Sequence, residues 1–252
     1  QPEGLEIYRA LVPYADIVAE NFSPRVLGNL GLGYEELKAI KPDVIVASLS
    51  AYGHDGPWAN IPGIGGTIEP TSGMSALLGY ADGQPLNSGQ MYPDAVAGLY
   101  GFSAIMTALH HRDRTGEGQY IDLSMQEANL AHVGDAALEY SMTGEQRGRL
   151  GNRHMTFAPH GIFPSLAGAD GRARWVAIAA ETDEQWAGLA ALLGHPEWAA
   201  DGHPWASVAG RLSARDAIDA EIAAFARPRD RWELADAVQA AGALRNLAMD
   251  DD

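Results

Sequence analysis

The stretch "QMYPDAVAGLYGFSAIMTALHHRDRTGEGQYIDLS", residues 90 to 124, sets one carboxylate, Asp94, after a proline and before a run of small and apolar residues. Two chemistries suit an aspartate there. Aspartate is a favoured helix N-cap, and such a cap is worth about 0.5–2 kcal/mol. A helix N-terminus also favours an anion, through its dipole and its free N–H groups. A carboxylate held there can attack an activated acyl group. The segment before it is rich in glycine, so a substrate could approach the backbone closely. The two readings are compatible, and the spacing leaves both open.

Other candidates are weaker. "GNRHMTFAPHG" (151 to 161) is a polar, glycine-bounded loop with two histidines, a residue type that in loops is commonly just solvated. "PGIGG" (62 to 66) is similar to a phosphate cradle, but a lone glycine cluster is a weak signal. His110 and His111 close a helix, where imidazolium suits the dipole. No HExxH or comparable ligand spacing occurs, so no metal is expected. No GxSxG elbow occurs either.

The elements that must position these residues follow from periodicity. Leu5, Tyr8, Leu11 and Val12 repeat at helical spacing over residues 3 to 13. "ADIVAE" (15 to 20) reads as a short strand. A broken helix pair follows, its clearer part Tyr34 to Ile40, and Pro42 stops it. "DVIVASLSAYG" (43 to 53) is continuously apolar and β-branched, as in a parallel strand buried on both faces. A short helix is expected within the glycine-rich residues 66 to 78. A helix starting at Asp94 is expected to reach about His111. "RTGEGQ" reads as a turn whose glycines can take positive φ. "YIDLSM" alternates as a strand, and "QEANLAHVGDAALEYSMTG" reads as a helix. After Gly148 the texture changes to a loop, a hairpin with "ADGR" as its turn, a helix capped by Thr182 and stopped by Gly194, and helices near 213 to 226 and 230 to 241. The expected organisation is a large α/β region with a parallel sheet over 1–147, a small α+β domain over 148–242 and a divergent tail over 243–252. There is no internal repeat.

Composition removes several function classes. The 252 residues include no cysteine, which excludes a disulfide scaffold, a thiolate metal site and a cysteine nucleophile. The net charge of −16, from 17 basic and 33 acidic residues, speaks against nucleic acid as a partner. An anionic ligand would need a few placed arginines and backbone N–H groups. No apolar run reaches the ~18 residues of a membrane span, so no membrane is expected, and the cytoplasm is the expected compartment.

Four ordered stretches together resemble the class III CoA-transferase family, also called the CaiB/BaiF or formyl-CoA transferase family. "ADIVAENFSPRVLGNLGLGYEEL" is similar to its D-x-x-x-E-N-F-x-P-G stretch, and "PDVIVASLSAYGHDGPW" to its strand leading to G-x-x-G-P. "DAVAGLYGFSAIMTALHHRDRTGEGQYIDLSMQEA" is the most specific match, with an aspartate, a helix and an R-x-x-T-G-x-G-Q-x-x-D turn. "GNRHMTFAPHGIF" through "DEQWAGLAALLG" resembles the start of the family's small domain. The likeness runs from residue 5 to about 242.

The resemblance implies transfer of coenzyme A from an acyl-CoA to a carboxylic acid, with Asp94 as the catalytic aspartate that forms acyl and then CoA adducts. It implies CoA contacts at Asn21, Phe22 and Ser23 and along Ile61, Pro62, Gly63 and Ile64. It places the mobile substrate loop at His154, Met155, Thr156, Phe157 and Ala158, which here lacks the family's glycines. The racemase branch carries a histidine where Ile64 stands, and formyl-CoA transferase a tyrosine. Isoleucine cannot move a proton, which favours transfer over racemisation. An acyl-CoA racemase using His154 or His160, or a non-catalytic CoA-binding remnant, are the competing readings. The family also implies a Rossmann-type segment before Gln1, a return segment with V-P-x-G-P-V after Gly242, and an interlocked homodimer. On that comparison the chain is expected to be a partial member, with an incomplete Rossmann-like large domain.

Overall fold

The computed structural model describes residues 2–247. Its contacts divide the chain between residues 149 and 150 into two units.

The first unit is organised by one strand that is covered on both faces. It begins with α1 (Pro2–Leu11), β1 (Ile17–Glu20), α2 (Arg25–Asn29), α3 (Tyr34–Ile40) and β2 (Ile45–Ser50). It continues with α4 (Gly65–Thr71), α5 (Met74–Leu77), α6 (Tyr92–Thr115), β3 (Tyr120–Ser124), α7 (Met125–Leu130) and α8 (Gly134–Thr143). β2 lies between β1 and β3, parallel to both, with Val18 opposite Val46 and Val46 opposite Tyr120. Ile45, Val46 and Ala47 are all fully buried, and so are Ser48 and Ser50, as expected of a central parallel strand covered on both faces. One apolar cluster joins Val12, Val18, Leu27, Leu37 and Val46; another joins Val96, Ala97, Leu123 and Ala128.

α6 sets the direction that matters most. At its C-terminal end Arg112 pairs with Asp16 (3.1 Å), which precedes β1, and reaches toward Asp43 (3.9 Å), which precedes β2. The helix therefore runs against the strands, and its first turn lies at their C-terminal edge. It starts two residues earlier than expected, because Tyr92 and Pro93 occupy its first two positions. A proline is tolerated there, since its missing N–H would have had no helical partner. Asp94 is thus not the N-cap but the third residue of the first turn, its N–H donated to the Met91 carbonyl (3.1 Å). The helix runs on past His111 to Thr115, where Gly116 takes φ 77°.

Three other expectations are corrected. The single helix over 66 to 78 is two, separated by Gly73 at φ 87°. The helix over 126 to 144 is broken into α7 and α8 by a 3-10 turn at Ala131–Val133. In "RTGEGQ" only Gly116 needs positive φ; Gly118 serves close approach, because a Cβ there would run into the Val44 carbonyl and the Asp43 backbone.

The second unit holds β4 (His160–Ser165), β5 (Arg174–Ala179), α9 (Asp183–Leu192), α10 (Val208–Ser213), α11 (Arg215–Ala226), α12 (Arg231–Ala240) and β6 (Leu244–Leu247). β4 and β5 form the antiparallel hairpin, and Thr182 and Gln185 form a reciprocal capping box at α9. Trp186, Ile178, Ile218, Ile222 and Val238 centre its core. The expected tail over 243–252 is partly a strand: Leu244–Leu247 pairs antiparallel with β5. The free edge of β5 supplies hydrogen-bond partners that a four-residue run cannot announce by itself. Residues 248–252 of that tail lie outside the described residues.

Candidate active site

The C-terminal edge of a parallel sheet is where strand ends leave loops free to bind, and open α/β sheets place ligands there. Asn21, Phe22 and Ser23 follow β1 at this edge, and all three are exposed. Their loop is held by Glu20, which accepts the Phe22 N–H (2.6 Å). The segment after β2 returns along the same edge and carries Ile61, Pro62, Gly63 and Ile64. Gly63 is required by contact, because a Cβ would meet Ala51 at 2.8 Å and Tyr52 at 3.2 Å. Ile64 caps α4 with its side chain in solvent, and its N–H is donated to the Thr67 hydroxyl (3.0 Å).

Asp94 stands against the start of α4. The space a Cβ on Gly65 would take is filled by the Asp94 carboxylate oxygen Oδ2, with the Met91 sulfur beside it at 3.1 Å. Asp94 itself is exposed. Two glycines of the "PGIGG" cluster are therefore explained by close approaches, Gly63 on Ala51 and Tyr52 and Gly65 on Asp94, while Gly66 faces open space. The structure brings Asp94 together with the end of the 61–64 segment and puts residues 21–23 on the same sheet edge. A polar cavity of about 280 Å³ also opens there, with Tyr52, Trp58, Asp122, Ser124 and Glu127 in its lining.

Two groups of residues that sequence reasoning passed over shape this edge. The His54 N–H is donated to both Asp122 oxygens (3.1 and 2.9 Å), and its Nδ1 meets the Tyr120 hydroxyl (2.9 Å). Its Nε2 lies 3.9 Å from Glu20, the residue that holds the 21–23 loop. Burial raises the Tyr120 hydroxyl above its usual range; a hydrogen bond with Ser48 opposes this, and the nearby Asp122 and Glu20 charges add to it. The alternation of "YIDLS" puts Tyr120 and Asp122 on one face, but nothing local points to His54. The second group, around Glu69, fastens the segment that leads into α6.

The loop from His154 to Ala158 belongs to the second unit. His154 stacks on Phe157 (centroids 4.0 Å apart, 28° between planes), and its Nδ1 accepts the Thr156 N–H (3.3 Å). Ala158 is buried, and its carbonyl accepts a hydrogen bond from Arg211 Nε (2.8 Å). Arg211 is fully buried; it also donates to the Trp205 and Ala206 carbonyls and to Asp183. Phe157 and His160 help line a cavity of about 490 Å³ within this unit. Among the described residues no group of three His, Asp or Glu side chains is placed to hold a metal ion.

The profile of CoA-transferase family III matches residues 1–249. The chain is a member of that family. It is 36% identical over 200 residues to the succinyl-CoA–D-citramalate CoA-transferase of Chloroflexus aurantiacus, covering 79% of this chain and 48% of that protein. To the acetyl-CoA:oxalate CoA-transferase of Acetobacter aceti it is 34% identical over 229 residues, covering 90% and 57%. The crystal structure of a CaiB/BaiF family protein from Brucella suis superposes with a TM-score of 0.83 at 34% identity, covering 97% of this chain and 63% of that one. The chain thus spans about half the length of the curated family III relatives it matches. The three-stranded parallel sheet of the first unit and the small antiparallel sheet of the second match the corresponding part of the Brucella suis structure. No helix among the described residues is long and apolar enough to cross a membrane.

Proposed function

We propose that the protein moves coenzyme A from an acyl-CoA to a carboxylic acid, with Asp94 as the covalent nucleophile. One observation carries this: in a family III chain, an exposed carboxylate sits in the first turn of a 24-residue helix, pressed on a glycine at the C-terminal edge of the sheet. Asp94 attacks the thioester carbonyl; the C–S bond breaks, CoA leaves as thiolate, and an acyl–aspartyl anhydride forms. The thiolate attacks the aspartyl carbonyl, releasing the donor as a carboxylate and leaving an aspartyl-CoA thioester. The acceptor carboxylate attacks the aspartyl carbonyl of that thioester, breaking its C–S bond, expelling CoA thiolate and forming a second anhydride; the thiolate then attacks the acceptor acyl carbonyl, giving the new acyl-CoA and freeing the Asp94 carboxylate. Each step exchanges one acyl bond for another, so no oxidant and no net proton are needed.

Asn21, Phe22, Ser23, Ile61, Pro62, Gly63 and Ile64 are the proposed CoA contacts, and the His154–Ala158 loop the proposed acyl-side loop. The relatives named for succinyl-CoA, malate, glutarate and oxalate make dicarboxylic acids the acceptors to try first. The solvent-facing Ile64 offers no group for α-proton transfer, which disfavours a racemase. A large domain of Rossmann type and an interlocked homodimer belong to the same reading. Exposed Leu99, Phe102 and Met106 on α6, opposite its buried Val96, Ala97 and Gly101, support a second chain over that helix.

The test is acyl exchange between succinyl-CoA and a panel of dicarboxylates, with intact-mass detection of adducts. The expected result is product acyl-CoA together with a CoA or acyl adduct on the peptide containing Asp94. Exchange without any adduct, CoA binding without exchange, or loss of an α-deuterium without exchange would each overturn the reading.

A further inference from the structure

The segment that delivers Asp94 is fastened to α4 by a feature that begins with a misplaced proline. Pro70 lies inside α4 and has no N–H, so the Gly66 carbonyl, four residues earlier, loses its helical donor. Asn87 fills the gap: its side-chain amide donates to the Gly66 carbonyl (2.9 Å), while its own oxygen accepts from the Ser75 hydroxyl (2.7 Å). The next residue makes the second attachment. Ser88 donates its N–H to one oxygen of Glu69 (2.6 Å) and its hydroxyl to the other (2.8 Å). Glu69 is fully buried, and its carboxylate is satisfied by these two neutral donors. A buried carboxylate costs free energy unless each lone-pair direction it needs is met. Its presence in the interior of a short helix therefore calls for a structural return.

That return lies six residues along. Ser88 Oγ, its hydrogen given to Glu69, accepts the Gln90 N–H (3.3 Å), and Met91 then closes the first turn of α6 by accepting the Asp94 N–H. Gly65, whose missing side chain makes room for the Asp94 carboxylate, is one turn above Glu69 on the same face of α4. α4 thus grips the chain at Asn87 and Ser88 and receives it again at Asp94. We infer that Glu69 is a positioning residue for Asp94: by holding Ser88 it fixes where α6 begins, and so where the carboxylate stands over Gly65. This rests on the reading of Asp94 as the nucleophile.

Glu69 acts on Asp94 through its hydrogen-bond geometry and not through its charge. A glutamine at 69 can accept the Ser88 N–H with its oxygen and donate its amide to Ser88 Oγ, whose freed hydrogen can then turn to the Gln90 carbonyl at 3.3 Å. An alanine can do neither. The experiment measures steady-state kcat and KM and the single-turnover rate of adduct formation for wild type, Glu69→Ala, Glu69→Gln, the double variant Asn87→Ala/Ser88→Ala and Asp94→Asn. Glu69→Ala is expected to lower kcat and the adduct rate about 10²-fold, the scale of a nucleophile displaced by roughly 1 Å. KM for the acyl-CoA should stay within a small factor. Glu69→Gln should restore most of the loss, and the double variant should reproduce it with Glu69 intact. Wild-type kcat in folded Glu69→Ala, or equal losses in the alanine and glutamine variants, would overturn the inference. If Glu69→Ala does not fold, wild-type kcat in the double variant overturns it instead. Transfer by Asp94→Asn would refute the nucleophile reading; loss there with full activity in the Glu69 variants would refute the positioning role alone.

Discussion

Asp94→Asn separates the two roles that an aspartate at a helix start can have. The end of α6 carries no side-chain cap hydrogen bond, and Asp94 is the third helical residue, not the cap. What the fold loses is therefore the interaction of an exposed charge with the helix N-terminus, about 0.3–1 kcal/mol. Asparagine keeps the shape beside Gly65, so no cavity and no clash arise. For a chain of this size the loss shifts Tm by no more than about 4 °C. The chemical consequence is far larger. A carboxamide is a poor nucleophile, and removing an enzyme nucleophile costs factors of 10⁴ or more, on the order of the subtilisin case. The assay pairs a thermal melt with acyl exchange and intact mass on the same preparation. The expected result is a near-native melt, no exchange and no adduct. Near-native turnover with any accepted donor–acceptor pair would refute the covalent mechanism. A melt lowered by tens of degrees would refute the account of Asp94 as a lightly attached surface group.

Gly118→Ala should destabilise the first unit by at least about 1–3 kcal/mol, the usual overpacking range, because the new methyl group meets rigid backbone at Asp43 and Val44; denaturant unfolding reads this directly. Arg211→Met should cost about 3–5 kcal/mol in the same measurement, since the buried Ala158 carbonyl loses its donor at the full ~1–3 kcal/mol and the half-buried Trp205 and Ala206 carbonyls lose theirs at less. Asp135 is held below its ordinary 3.8 chiefly by its hydrogen bond from Arg147. Its folded pKa being lowered, its contribution to stability is present above 3.8 and is lost as pH falls through the depressed value. Arg147→Met should move the Asp135 carboxyl back up in an NMR titration and remove that part of the acid-side loss; an unchanged titration would contradict the pairing.

Much of the scaffold is legible in the chain because its causes are local. The run of small and apolar residues in β2 states that both its faces are covered, and Thr182 and Gly194 announce where a helix starts and stops. The absence of cysteine removes whole classes of chemistry without any fold. The ordered motifs around Asn21, Asp94 and Gly116 name the family. The details of the site have causes far apart in the sequence. The start of α6 depends on how a proline and its neighbours fit against α4. Gly65 needs its hydrogen atom because Asp94 returns to it 29 positions later, and Gly118 because the backbone entering β2 at Asp43 and Val44 passes beside it. Glu69 reads in the sequence as one more acidic residue on a short helix. Its burial and its grip on Ser88 arise when a 19-residue loop closes. Periodicity reports which side of an element is apolar. It carries no information about which distant polar group meets which, because that pairing is chosen by strand order and loop closure, and only the assembled sheet and helices determine it.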